Sequence, residues 1–135
     1  MLVLFAKNPF ILLILNRLLE KKEISRAYWA LVDGNINRKE IVFRDKIGRD
    51  RHDRRKRIDD AKNGQYAETH VSRLKQFSNK TSLDHCKLKT GRTNQIRVHI
   101  SHHNFPILGE PLYNINSQTS RLMLHAFRLS GRRFR

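Results

Sequence analysis

Leu88-Lys-Thr-Gly-Arg-Thr-Asn-Gln-Ile-Arg-Val-His-Ile100 decides how this chain is organised, because the hydrophobic period changes inside it. From Ser82 to Leu88 apolar and polar residues alternate, the pattern of a strand with one buried face. Asp84 falls on the same face as Cys86 and Leu88, where burial of a carboxylate is costly. Thr90-Gly91 interrupts the run. Beyond it the spacing becomes helical, with Ile96, Ile100 and His103 on one side. A Pro/Gly-rich turn region follows over Phe105 to Tyr113, and Leu122 to Leu129 reads as a final short element.

Upstream, Leu2 to Ala6 is a short apolar run that reads as a buried strand. Asn8 offers a helix N-cap and Pro9 suits the first helical position. The helix they open runs to about Glu23, with Lys21 and Lys22 at the negative end of its dipole. Its first half is apolar all round, which implies packing into the core. Ser25 to Val32 reads as a strand ended by the Asp33-Gly34 turn, and Glu40 to Phe43 as another. Arg44 to Arg57 is strongly basic and nearly without apolar residues, the composition of a solvated loop or hairpin arm. Tyr66 to Leu74 and Ser82 to Leu88 complete the strands. Strands outnumber helices and their pairings are local. The fold class expected is therefore α+β, a largely antiparallel mixed sheet with one or two covering helices.

The chain has 135 residues, enough for one domain and a modest core. Its formal net charge of +16 calls for an acidic partner, of which nucleic acid is the commonest. The single cysteine, Cys86, excludes an internal disulfide and fits a reducing cytoplasm. It reads as a small buried residue rather than a nucleophile. The apolar start lacks a basic leader and is broken at Lys7-Asn8-Pro9. It reads as neither a targeting signal nor a membrane span.

The stretch from Leu88 to Ile100, closed by Pro106-Ile-Leu-Gly-Glu-Pro-Leu-Tyr113, resembles the last motif of the RluA-type pseudouridine synthases, written approximately L-x-TGRTHQIRVHL … PIxGDxxY. A second match is Arg26-Ala-Tyr-Trp-Ala-Leu-Val-Asp-Gly34, against the family's K-x-Y-x-A-L-V-x-G with Arg26 in place of Lys. Met1-Leu-Val-Leu-Phe-Ala-Lys-Asn8 matches the segment that follows the family's aspartate motif. The resemblance implies a pseudouridine synthase-like catalytic domain, N-terminally truncated, over residues 1–130, with 131–135 as a basic tail. It implies isomerisation of uridine to pseudouridine in RNA, ribosomal RNA first, with no cofactor. It also implies that the nucleophilic aspartate lies outside this chain. Asn94 stands where the family usually has His, and Glu110 where it usually has Asp.

By the same resemblance Arg97 holds the nucleophilic aspartate and Tyr28 lies against the target base. The chemistry of both is sound. A guanidinium keeps a neighbouring carboxylate ionised and its fork orients both oxygens. A phenol offers a ring to a base and a hydroxyl to a proton. Arg92, Asn94 and Gln95 of the motif, with Arg49, Arg51, Arg54, Arg55 and Arg57 of the basic segment, are the expected RNA contacts, the arginines through phosphates. Arg92 and Arg97 are read as two positions of one helix. His99 and His103 have metal-ligand spacing on a helix, but no carboxylate or cysteine is near them in sequence, so no metal is assigned. The expected partner is RNA, with no membrane, no DNA and a monomeric, cytoplasmic protein. Two other readings differ in class: a non-catalytic RNA-binding remnant of such an enzyme, and a basic ribosome-associated protein with a fortuitous motif.

Overall fold

The computed structural model describes residues 5–21, 24–34, 39–53, 55–77, 80–113 and 121–131. Helix α1 is Pro9–Glu20. Strands β1 (Ile24–Asp33), β2 (Glu40–Phe43), β3 (Ile47–Arg49), β4 (Arg57–Asp59), β5 (Thr69–Gln76) and β6 (Thr81–Leu88) precede helix α2 (Gln95–His102), and β7 is Leu124–Gly131. Five strands form one sheet in the order β2-β5-β6-β1-β7, and β3 and β4 form a separate hairpin. Every pairing between these strands is antiparallel.

The alternation read in β6 is the pattern observed. Ser82, Asp84 and Cys86 are buried, with their neighbours less so. Cys86 lies opposite Tyr28 of β1 and Val71 of β5, which makes β6 the central strand with β5 and β1 on either side. Ala30, Val32, Val71 and Cys86 form a core with Phe43, Ile107, and Ile96 and Ile100 of α2. The helix thus covers one sheet face with the apolar side expected of it. Burial also pushes the Cys86 thiol far up, so the residue is an inert core side chain.

The turn after α2 returns to the sheet, where Asp33 N–H donates to Pro106 O and Leu108 N–H to Leu31 O. Gly109 has φ +75°, and a Cβ there would lie 1.7 Å from the Arg121 carbonyl oxygen. Backbone conformation and backbone contact both require glycine at that motif position.

Three expectations need correction. Asn8 caps α1 by accepting from Ile11 N–H, with Pro9 in the first turn, but none of the helix's residues is buried. Phe10 is 71% exposed and Leu13 60%. Only its last turns approach the sheet, where Asn16, Leu19 and Glu20 face Ile24–Arg26 and the end of β6. The apolar start is left exposed by the other described residues, so the core packing inferred from composition is not made there. Phe5 and Ala6 are not in a strand, and the rest of that proposed strand, residues 2–4, lies outside the described residues. The third correction is the start of α2. It begins at Gln95, so Arg92 lies in the preceding turn and does not share the helix with Arg97.

The basic segment is a hairpin arm, as read, built on β3 and β4. Its root is fixed by Ile47, which packs with Ala67 and with Val98 of α2. No described helix is long and apolar enough to cross a membrane.

Asp84 is the structure's clearest conflict between fold and side chain. It is fully buried, Ser82 Oγ donates to its Oδ2 at 3.1 Å, and its Oδ1 has no partner among the described residues. Burial raises its pKa to about 6, against the opposing pull of the Ser82 hydrogen bond and the Arg73 charge. A carboxyl whose folded pKa exceeds its unfolded one stabilises the fold least at high pH. Its contribution is fully present below the unfolded pKa of 3.8 and is lost as pH rises through about 6. Asp84→Asn should therefore gain on the order of 1–2 kcal/mol relative to wild type at pH 7, and lose that advantage by pH 4. Urea unfolding of both proteins across this range checks it. A constant difference would mean that Asp84 does not change its protonation state.

Candidate functional site

The motif residues sit where β6 turns into α2. The turn is held by the Gln95 side chain, which is 3% exposed. Its Oε1 accepts from Thr90 Oγ1 at 2.6 Å and from Arg92 N–H at 3.0 Å. Its Nε2 donates to Glu68 O and to Thr69 Oγ1, both at 2.9 Å. Both donors and both acceptor sites of the amide are used. Gln95 therefore braces the turn, and the amide has nothing left to offer RNA.

The network continues one helical turn on. Thr69 Oγ1 and His99 Nδ1 are 2.8 Å apart, and His99 Nε2 lies 2.8 Å from Asp45 O. A carbonyl only accepts, so Nε2 carries the proton and Nδ1 accepts from the threonine hydroxyl. Burial lowers the His99 pKa, which agrees with a neutral ring. His99 is a core histidine that ties β5 to the root of the arm. The signal for it was the Gln95–His99 spacing of four, which puts both side chains on one helix face.

Arg97 faces the other way, toward the turn after α2. Its Nε donates to Glu110 Oε2 at 2.6 Å and its Nη2 to Oε1 at 2.5 Å, a bidentate pair. Nη1 donates to Asn94 Oδ1 at 3.3 Å, and the guanidinium lies 5.8 Å from the centre of the Tyr113 ring. The Glu110 side chain is fully buried. Its hydrogen bonds, ahead of its charge, raise the Arg97 pKa further. Glu110 also accepts from Leu112 N–H, so it shapes the turn that carries it. Sequence reading noted Glu110 only as a departure from the motif. The structure makes it the partner of Arg97.

Tyr28 is half-buried on β1 beside a β-bulge, and packs on the core cluster that includes Ile96. Among the described residues no hydrogen bond engages its hydroxyl, and none joins it to Arg97. Bulges re-aim side chains next to functional sites, and this one lies between Ala27 and Tyr28.

The basic residues fall on one side of the turn. Arg49, Arg57 and Arg92 line a cleft of about 450 Å³ with Asn63, Gln65 and Thr93. Arg92 is anchored in it by Nε donating to Tyr66 O at 2.9 Å. Arg26, Lys87, Lys89 and Arg92 line a second cleft of about 510 Å³, where the Arg26 guanidinium lies against Gly91. Arg51 and Arg55 are exposed on the arm, though Arg55 is paired with Asp53. Asn94 donates to Arg55 O, linking helix start and arm. Arg54 lies outside the described residues. Tyr113 closes the site from below: its hydroxyl accepts from Arg57 N–H and donates to Arg57 O, at 2.8 and 2.7 Å.

With this geometry in place, comparison with known proteins is decisive. Residues 2–102 match the sequence profile of the RNA pseudouridylate synthases. The chain belongs to that family. It is 38% identical over 127 residues to an uncharacterized RNA pseudouridine synthase of Bacillus subtilis, YhcT, covering 92% of this chain and 41% of that protein. It is 37% identical over 127 residues to a ribosomal large subunit pseudouridine synthase D of Borreliella burgdorferi, covering 92% and 39%. Among solved structures, the human RNA pseudouridylate synthase domain containing 1 superposes with a TM-score of 0.78 at 28% identity, over 92% of this chain and 56% of that one. The chain thus spans about two fifths of these two relatives, and the α+β architecture is that of the pseudouridylate synthase domain.

The Arg97–Glu110 pair gives the site a testable energetic signature. Glu110→Gln removes one partner of a buried pair and should destabilise the protein by about 3 kcal/mol. Glu110→Asp, which keeps the charge, should cost less. Replacing both partners by apolar residues, Arg97→Met with Glu110→Leu, should recover much of the loss. Urea unfolding midpoints of these proteins, together with the Arg97→Met and Glu110→Leu single variants, decide it, and additive losses would show that the two side chains are not coupled.

Proposed function

We propose that this chain forms the later part of the catalytic domain of an RNA pseudouridine synthase, acting on ribosomal RNA. One observation carries the reading: the family motif folds into a braced turn and helix, with Arg92 lining a basic cleft at the turn and Arg97 locked by Glu110 on the helix.

In this reading Glu110 holds Arg97 through Nε and Nη2, and the outer edge of the guanidinium faces the nucleophilic aspartate. The positive charge keeps that carboxylate ionised, and the fork orients it. Tyr28 presents its ring to the uracil and its unengaged hydroxyl to the sugar. The aspartate attacks C1′, or takes a C2′ proton that is later returned, as the C1′–N1 bond breaks; the base turns, a C1′–C5 bond forms, C5 gives up its proton and N1 gains one. The reaction is an isomerisation and needs neither metal nor nucleotide cofactor. The 135 residues include the Tyr28 and Arg97 matches but no match to the aspartate motif. Arg49, Arg57 and Arg92 bind phosphates, and Arg51 and Arg55 of the arm extend the same surface. The target uridine must leave its stack to reach the pocket, and backbone contacts on both sides hold the strand while it does. This reading also places the protein in the cytoplasm, as a monomer.

Two experiments test this. The chain alone, incubated with ribosomal RNA, should form no pseudouridine above a protein-free control. Joined to a segment carrying the family's aspartate motif, it should form pseudouridine. In that protein Arg97→Lys should slow single-turnover conversion far more than Lys89→Ala, because lysine keeps the charge and loses the fork. Equal losses in proteins of equal thermal stability would remove Arg97 from the site.

RNA affinity should fall steeply with salt. Arg49→Gln with Arg51→Gln should reduce the log–log salt slope by about 1.5, the share of two phosphate contacts. Filter binding between 50 and 200 mM salt reads this, and an unchanged slope would place the RNA elsewhere.

A further inference from the structure

The carboxylates that the sequence did not place near the histidines are supplied by the fold. Asp45 lies just before β3, and Asp59 is the last residue of β4. Together they form the two roots of the arm. His102 ends α2 and His103 follows it as the C-cap. His103 Nε2 is 2.6 Å from Asp45 Oδ2, and His102 Nε2 is 3.7 Å from Asp59 Oδ2. One ligand atom each from Asp45, His102 and His103 lie within 4.8 Å of one another.

The geometry points to a binding site for a late first-row divalent cation, with zinc as the type ion, formed by Asp45, His102 and His103 and completed by Asp59. In a tetrahedral site with bonds of about 2.0–2.2 Å, ligand atoms stand about 3.3 Å apart. The Asp45–His103 contact is shorter than this, the Asp59–His102 contact is longer, and the Asp45, His102 and His103 atoms span up to 4.8 Å, so the side chains must rotate to close on one ion. Two neutral imidazoles and two carboxylates are borderline donors of the kind such cations prefer, and the carboxylates offset the metal's charge in a basic protein. The supporting shell is also present. His99 Nε2 donates to the Asp45 carbonyl, which fixes that backbone, and the His103 ring stacks on Phe43 at 4.5 Å. Outer contacts of this type orient ligands. Asp59 and His102 line a cleft with Tyr113, whose ring lies under the Arg97 guanidinium, and a bound metal would staple both roots of the arm to the end of α2.

The test uses the full 135-residue chain and Zn²⁺ alone, with calorimetry for affinity and Co²⁺ visible absorption for coordination. The wild type should bind one equivalent, with a Co²⁺ spectrum of low coordination number, and its Tm should rise in saturating Zn²⁺. His103→Phe keeps a ring on Phe43 but removes a ligand. Asp45→Asn keeps the carbonyl that His99 holds. Each should weaken Zn²⁺ by at least about tenfold, while His70→Ala, at the Glu68 pair elsewhere on the sheet, should leave it unchanged. No saturable binding by wild type would overturn the proposal and leave Asp45–His103 and Asp59–His102 as ordinary ion pairs. Unchanged affinity in both ligand variants, or an equal loss in His70→Ala, would overturn it as well.

Discussion

The side-chain amide of Gln95 is the point on which the arrangement of this protein turns. Helix α2 starts after Asn94, a residue at φ 56° whose side chain makes no capping hydrogen bond. The role of a cap passes to the next residue. Gln95 accepts the Arg92 amide and the Thr90 hydroxyl on one side and holds the Glu68 carbonyl, just before β5, and the Thr69 hydroxyl on the other. Gln95 itself is buried, so leaving its amide unpaired would cost on the order of 1–3 kcal/mol per polar group. One side chain therefore sets the turn, the first residue of the helix and its distance from the sheet. Arg97 follows two residues later, and its direction toward Glu110 is a consequence.

Much of this was legible in the sequence, and for local reasons. The alternation in β6, the Asn8-Pro9 start of α1 and the apolar side of α2 are all set by neighbours in the chain, and the structure has them. The failures share a cause as well. The apolar residues of α1 announce burial but not what would cover them, and in the described residues nothing covers Phe10 or Leu13. Arg92 was assigned to a helix because periodicity cannot tell a turn stabilised by a distant glutamine from the first turn of a helix. The pairing of Arg97 with Glu110 spans thirteen residues, and that of His103 with Asp45 spans fifty-eight. No residue pattern encodes such distances. The motif resemblance carried the region of the site, but not which side chain holds which.

Charge is distributed with some economy. Several of the acidic residues are committed to a basic partner: Glu68 to Arg44 and His70, Asp53 to Arg55, Glu110 to Arg97. The Tyr66 hydroxyl, then His70 and Arg44, hold the Glu68 pKa down at about 2. Hydrogen bonds from Arg55 lower the Asp53 pKa as well, so Glu68 and Asp53 stay ionised across the ordinary pH range. They position arginines and strands without competing for the polyanion, while the rest of the +16 excess is left to face outward.

Trp29, next to Tyr28 on β1, points to the opposite side of the sheet. It sits across from His85 and His125 in register, and its ring stacks on Phe127 at 4.4 Å with 43% of the residue exposed. It is also the only tryptophan in the chain. Its fluorescence is consequently a single-site optical reporter, rooted in a central strand but reading the open face. Neighbouring histidines can quench it when they are protonated. A fluorophore there follows the integrity of β1 during unfolding or titration, while standing on the face opposite Tyr28.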